Sequence, residues 1–477
     1  MEKECSINTA ERAEQGEPRA ERWRWMLVIV VSMAIFLDTV DVSIVNVALP
    51  DLQRGLHLST ADLQWVPGIY GLTNAGFLLL GGRAADLLGR RRIFLLGATL
   101  FGLASFTGGL ANSGWLLILA RGVQGVGAAL TMPAATSIIT TTFAEGPERN
   151  QALGIFSATG GAGFTCGLVI GGLLTSFISW HWVFLVNVPF VLLILLLARN
   201  VVPQDRLSME RERSYDLAGA ILVTGGLLLL VYALTQAGES GATPLKTGGL
   251  LVLALFLLVL FVLVEQRSRA PLMPLHIFRS RNLSVVCVVS FTLLASFFSF
   301  LFVFTLYLQN VLHYSPIQAS LALLPTSILS ILASQFVSPR LMNRFGVRLT
   351  ISLGMLCLLS GSLLFLMIGP VNNYFGIILP STLLTLSFGM ALCVPALGVA
   401  TVIGIEQTEQ GLAAGLQGTW AQGGGGLGVA VTAAVVSAST ASGAAIVQQL
   451  YGLHLGLIVI TVCAAIGMVL AFIGIQK

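Results

Sequence analysis

Charge is what this sequence has least of. Asp, Glu, Lys and Arg make up 10% of its 477 residues, against about a quarter in an ordinary soluble protein. That shortage excludes a soluble globular enzyme. Cysteine is also sparse, six scattered residues with no CxxC pair, which excludes a disulfide framework and a zinc site of ordinary ligand spacing. No GxxxxGK[ST] run is present, so no loop of that type cradles the phosphates of ATP. Residues 1–22 hold six Glu and lack the apolar core and small-residue cleavage site of a signal peptide. They read as a disordered cytoplasmic tail. The net charge of +4 and pI of about 8.8 are mildly basic, and the placement of the charges does not suggest nucleic acid. No cofactor and no metal is implied.

What the chain has instead is apolar length: 56% of residues are hydrophobic, mean hydropathy is +0.89, and 52 are Gly, as in closely packed membrane helices. A bilayer core of about 30 Å needs roughly 20 apolar residues per helix. Fourteen such runs are legible, at about 26–48, 62–81, 93–112, 115–142, 151–176, 181–199, 216–236, 247–265, 283–308, 317–338, 348–369, 374–402, 411–440 and 452–475. The expected fold is an all-α integral membrane protein. With the N-terminus inside, 22 of the 25 Lys and Arg fall on the cytoplasmic side; only Arg54 and Lys246 lie outside, and Arg121 falls within the fourth span. This asymmetry supports both termini being cytoplasmic.

An internal repeat organises the spans. At an offset of 257, Arg83, Gly89 and Arg91 fall on Arg340, Gly346 and Arg348, and Gly161, Gly167 and Gly171 fall on Gly418, Gly424 and Gly428. Two parallel six-helix halves are expected, at 23–200 and 283–477, with residues 201–282 a linker carrying two inserted transmembrane helices. One large class of secondary transporters is built this way, with the substrate near the midplane between the halves.

An ionised carboxylate at a helix centre costs about 2.5–3.5 kcal/mol on insertion scales, so an intramembrane acid is a functional candidate by default. Of the 21 acids, only Asp38 and Asp41 lie well inside a span. Three residues apart, they share a helix face. Two acids in one desolvated site favour the neutral form of at least one, which suits a proton carrier. The alternative is a structural hydrogen bond to Ser43, Thr39 or a neighbouring helix. Arg121, as the intramembrane cation, needs a partner or a wet cavity. It could pair with Asp41, or it could snorkel to a helix end six residues beyond Trp115.

These residues resemble the major facilitator superfamily, and within it the fourteen-span drug:proton antiporters, from about residue 26 onward. The stretch Asp41 to Pro50 (DVSIVNVALP) is similar to that group's first-span pattern, and by this match Asp41 is the family's membrane-embedded acid and Asp38 an extra. Gly82, Asp86, Gly89, Arg90, Arg91 and Arg92 meet the superfamily's cytoplasmic loop motif. There Asp86 can face the positive end of a helix beginning near Gly411, while Arg90 and Arg91 bind carboxylates or lipid phosphates, or only enforce topology. Arg121, Gln124, Gly125, Gly127, Ala128 and Ala129 match the fourth-span pattern, whose Arg the family uses in proton relay. Gly163, Gly167, Gly171 and Gly172 match the antiporter motif, with Leu168 where its Pro is usual. Trp180 to Pro189 (WHWVFLVNVP) looks like a further family stretch, with His181 in place of Arg.

The resemblance implies a secondary transporter of the cell membrane, not an enzyme: a proton-coupled exporter of drugs or other lipophilic small molecules working by alternating access. A dedicated exporter of one metabolite or antibiotic is the alternative. Candidate cavity residues are Trp65, Tyr70, Gln124, Phe304, Tyr307, Gln417 and Trp420, because broad-specificity pockets are apolar and aromatic with a few polar groups. Two acids make a lipophilic cation the natural ligand. Gly418 and Ala421 stand where relatives commonly have Asn and Arg. Protons, membrane lipids and a monomeric state complete the expectation.

Overall fold

The computed structural model describes residues 2–143, 147–203, 217–237, 244–267, 275–371, 373–405, 410–439 and 446–475. Apolar runs of about 20 residues satisfy their backbone polar groups internally only as helices, and the described residues are helical almost throughout. In chain order the helices are α1 (Glu2–Gly55), α2 (Thr60–Leu63), α3 (Trp65–Leu88), α4 (Arg90–Gly109), α5 (Gly114–Thr142), α6 (Pro147–Phe177), α7 (Trp182–Leu185), α8 (Asn187–Val201), α9 (Leu217–Ala237), α10 (Pro244–Arg267), α11 (Arg281–Leu306), α12 (Pro316–Leu332), α13 (Ser338–Phe365), α14 (Leu379–Thr382), α15 (Met390–Val402), α16 (Gln410–Ala438) and α17 (Ile446–Gly474). π-helical turns extend or interrupt the second half at Tyr307–Val311, Ala333–Val337, Tyr374–Ile378 and Leu383–Gly389.

Among the described residues, eleven stretches are long and apolar enough to cross a bilayer. The fourteen expected runs meet these stretches differently at three places. The expected tenth and eleventh spans form one stretch, Pro316–Phe365, interrupted at Gly346. The expected seventh is α9, Leu217–Ala237, of which the stretch with described side chains that registers as apolar is the shorter Ile221–Ala233. The expected second is helical as α3 but carries Thr73, Asn74 and Arg83.

The internal repeat is visible in backbone geometry. Gly89 between α3 and α4 has φ 103° and its counterpart Gly346 has φ 81°, a region that residues with a Cβ rarely enter. Each glycine turns the chain from one span into the next. The glycine-rich helices repeat as well: a Cβ on Gly167 would stand 2.6 Å from the Val40 carbonyl oxygen and one on Gly171 3.1 Å from Ile44 Cα. In the second half, Gly424 and Gly428 press in the same way on Phe291 and Ala295 of α11. By that register Asp41 corresponds to Thr292, a buried hydroxyl that donates to the Val289 carbonyl at 2.9 Å. The acid is therefore a property of the first half.

Packing differs between the two ends of the bundle. Where α1 finishes, one apolar cluster crosses both halves, joining Ile44, Leu49 and Phe184 to Phe300, Phe304 and Phe365. Where α1 begins, the halves keep separate clusters, one around Leu27, Phe94 and Ile138 and another around Val286, Met355 and Ala400. Two hydrogen bonds tie the halves at the closed end: Gln309 Nε2 donates to the Val47 carbonyl at 3.0 Å, and the Ile317 amide to Ser176 Oγ at 3.2 Å. Helix α9 lies against α3 and α16, and α10 packs on α9.

Candidate functional site

Four helices of the first half and the start of a fifth converge on Asp41. The carboxylate is fully buried, and burying it ionised is tolerable only with a close counter-charge and saturated acceptors. Both conditions are met. Arg121 Nη1 on α5 donates to Asp41 Oδ2 in a buried ion pair. Asp41 Oδ1 accepts from Asn187 Nδ2 on α8 at 2.7 Å and from Gln124 Nε2 on α5 at 3.1 Å. Gln124 Nε2 also donates to Ser105 Oγ on α4 at 2.8 Å, and Gln124 Oε1 accepts from Arg121 Nη1 at 3.0 Å. Arg121 Nε reaches the Val66 carbonyl on α3 at 3.0 Å, and its guanidinium carbon lies 4.3 Å from the centre of the Tyr70 ring. A guanidinium stacked on an aromatic face and forked between acceptors cannot be replaced by a point-charge ammonium without loss.

Asp38, one turn earlier, accepts from Tyr70 Oη. With Ala34, Leu37, Ala98, Phe101 and Met132 it lines a mainly apolar cavity between α1, α4 and α5, where Thr131 turns its hydroxyl to the Gly127 carbonyl of its own helix at 2.8 Å. The hydroxyls of Thr39 and Ser43, alternative partners for the acids, turn to their own helix, Thr39 to the Ile35 carbonyl at 2.9 Å and Ser43 to the Thr39 carbonyl at 3.0 Å. The partners of Asp38 and Asp41 thus come from other helices. Arg121 does not snorkel, being 1% exposed.

The helix that carries both acids is held by the antiporter glycines. Gly163, Gly167 and Gly171 of α6 face the α1 backbone at Phe36, Val40 and Ile44, while Gly172 faces α12 of the other half, where a Cβ would stand 3.0 Å from Ile317 Cα. The stripe thus joins the acid-bearing helix to the inter-half contact at the closed end. A side chain at any of these positions would separate the helices.

The Major Facilitator Superfamily profile matches residues 31–429. The chain belongs to the Major Facilitator Superfamily. It is therefore a multi-pass transporter of the cell membrane for small molecules, not an enzyme. Relatives include the puromycin resistance protein pur8 of Streptomyces alboniger, 40% identical over 89% of this chain and 84% of that protein. The cephamycin export protein CmcT of Amycolatopsis lactamdurans is 37% identical over 89% and 87%. The multidrug resistance protein Stp of Mycobacterium tuberculosis is 33% identical over 87% and 76%. Among solved structures, a POT family transporter in complex with 5-aminolevulinic acid superposes with a TM-score of 0.68 at 16% identity, covering 93% of this chain and 95% of that one. At that identity it speaks for the fold alone.

The other family motifs are placed with less convergence. Gly82 lies beside Pro133, where a Cβ would meet its ring at 3.5 Å. Arg91 Nη2 donates to the Arg199 carbonyl at 2.5 Å, and Trp23 Nε1 to the Val201 carbonyl at 2.9 Å. These two capture carbonyls at the end of α8, the electronegative pole of that helix. Arg90 is half-buried at the start of α4. The side chain of Asp86 and residue 411 at the start of α16 lie outside the described side chains.

The seven candidate cavity residues divide among separate environments. Tyr70 and Gln124 belong to the charged cluster. Phe304 and Tyr307 are buried in an aromatic stack with Phe300 and Phe365, and Tyr307 Oη donates to the Gly369 carbonyl at 3.0 Å. Trp65 packs beside Leu72, Val231 and Ala430. Trp420 meets Phe278 and Phe291 edge-on, and Gln417 Nε2 donates to Ser290 Oγ at 2.9 Å. Asn187 and Ser105 are the members of the cluster that sequence reasoning missed. The stretch holding Asn187 was conspicuous, yet no spacing rule links residue 187 to residue 41.

Proposed function

We propose that this chain is a proton-coupled antiporter that exports drugs or other lipophilic small molecules by alternating access. The observation that carries the reading is the buried Asp41 and Arg121 pair, a charge that a single proton cancels. With Asp41 ionised, the pair holds α1, α3 and α5 together. With Asp41 protonated, Arg121 loses its counter-charge and that hold weakens. Each proton entering down a potential of 100 mV contributes about 2.3 kcal/mol to the cycle. Asp38, on the wall of an apolar cavity, favours a lipophilic cation as substrate. Fourteen spans, cytoplasmic termini and a monomer are part of the same reading. In that orientation the end at which one apolar cluster crosses both halves faces outward.

A dedicated antibiotic exporter is the second reading, favoured by pur8 and CmcT, each named for one antibiotic; Stp, named for multidrug resistance, favours the first. The test is ethidium efflux from cells expressing the chain, with and without a protonophore, together with a growth panel of unrelated inhibitors. Protonophore-sensitive efflux and tolerance of several compounds support the broad exporter. Tolerance of one compound supports the dedicated one. Efflux indifferent to the protonophore overturns proton coupling in either form.

A further inference from the structure

The hydrogen bonds around Asp41 are built for one protonation state. Its oxygens meet three donors, Arg121 Nη1, Gln124 Nε2 and Asn187 Nδ2, and the contacts include no acceptor. A protonated carboxyl group carries an O–H that needs one. If Asp41 is to take a proton and keep it in a desolvated site, some neighbour must supply an acceptor or the proton is penalised by a buried, unpaired donor.

Two amides touch the carboxylate, and they are not equivalent. Gln124 is committed on both sides: Oε1 accepts from Arg121, and Nε2 is shared between Asp41 and Ser105. Turning it over breaks three hydrogen bonds. The Ser105 hydroxyl already donates to the Phe101 carbonyl at 2.8 Å. Asn187 is fully buried, gives its Nδ2 to Asp41, and has an Oδ1 that is buried without a hydrogen-bond partner. A half-turn of this amide breaks one bond and presents the unused oxygen to Asp41. Its backbone stays fixed: Asn187 opens α8, with Pro189 in the first turn, where a missing N–H costs nothing.

Among the described residues, the charged or titratable groups facing Asp41 are Arg121 from α5 and, behind it, Tyr70 from α3 with Asp38 from α1 itself. Helices α4 and α8 contribute neutral Ser105 and Asn187, and α6 contributes glycines. No second carboxylate competes for the Asn187 amide.

We propose that Asn187 is the positioning residue that reads the protonation state of Asp41: its amide donates to the carboxylate and, turned over, accepts from the carboxylic acid. The proton then rests on Asp41 Oδ1 with a partner, and Arg121 is released without an orphaned O–H replacing it. This rests on the reading of Asp41 as the coupling acid. A group that merely packs there would need neither the buried donor nor the spare acceptor.

The test is infrared difference spectroscopy of the purified full chain in nanodiscs across a pH series, with Asp41→Asn identifying the Asp41 carboxylic-acid band. Asn187→Leu removes donor and acceptor together. Hydrogen bonds to the ionised form are the stronger, so the midpoint of the band moves alkaline by about one pH unit or more, and its frequency rises to that of an unbonded acid. Asn187→Ser keeps a group that can donate or accept and restores both values toward wild type. Asn187→Ala gives the same comparison if the Leu variant does not fold. An Asp41 band with unchanged midpoint and frequency in the Leu or Ala variant overturns the role of Asn187 and leaves Asp41 as the coupling acid. Absence of any band removed by Asp41→Asn overturns the coupling reading, and the role of Asn187 with it.

Discussion

Asp41→Asn and Arg121→Met should not behave as equivalent ways of breaking the same ion pair. The two side chains are 0% and 1% exposed, so water cannot replace a lost partner. Asp41→Asn leaves a guanidinium that cannot shed its charge. Truncating one member of a buried pair costs about 3–5 kcal/mol. Arg121 retains Val66, Gln124 and the Tyr70 ring, which places the expected loss at the lower end, about 3 kcal/mol at every pH. Arg121→Met leaves a carboxylate that can take a proton. Its loss is therefore small in acid and grows as pH rises, because the folded variant then holds a proton that the unfolded chain has released. The double variant replaces the pair by neutral side chains and should approach wild-type stability, giving a coupling of about 2–3 kcal/mol, well beyond the roughly 0.5 kcal/mol within which independent sites add. The assay is unfolding of the four purified proteins in nanodiscs at acid and alkaline pH. Additive losses, or a pH-independent Arg121→Met, would refute a charged pair held in a dry site.

Three further outcomes follow from the packing. Gly167→Val places a branched side chain against the Val40 backbone and Ser43, and should destabilise the fold by about 1–3 kcal/mol with loss of transport, read by thermal unfolding and efflux. Gly172→Leu collides with Ile317 and Ser320 and should hold the closed end apart, so that a cysteine placed at Ala319, 4% exposed in this conformation, reacts faster with an impermeant thiol reagent; an unchanged rate would mean the contact is not a gate. Tyr307→Phe removes the hydrogen bond to the Gly369 carbonyl and should cost about 1 kcal/mol of stability while leaving efflux intact, because Tyr307 is core rather than cavity in this conformation.

How much of this was legible in the sequence depends on what each residue type obliges. A cation inside an apolar run needs a partner or a wet cavity, so the position of Arg121 in the sequence pointed to pairing with Asp41 as one reading and to snorkelling at a helix end as the other. The turns at Gly89 and Gly346 were legible as a repeat offset, because both halves need the same backbone conformation there. Asn187, Ser105 and the hydroxyl of Tyr70 were not, since an amide or hydroxyl in a membrane helix can be satisfied by its own backbone, as Thr39 and Ser43 are. The aromatic candidates failed to converge for a related reason: Phe304 and Tyr307 satisfy a hydrophobic pattern equally well in a closed stack or in a cavity wall, and only the fold distinguishes them. The two-ended difference in packing depends on contacts between residues hundreds of positions apart, beyond any local pattern.

Proton coupling through Asp41 is measured most directly in proteoliposomes carrying an imposed pH gradient, following ethidium movement and lumenal pH together for wild type and Asp41→Asn. Wild type should move ethidium against its gradient while dissipating the pH difference. Asp41→Asn should lose gradient-driven movement and the associated proton flux, with the lumenal pH unaffected by ethidium. Gradient-driven ethidium transport persisting in Asp41→Asn would contradict the assignment of Asp41 as the coupling acid.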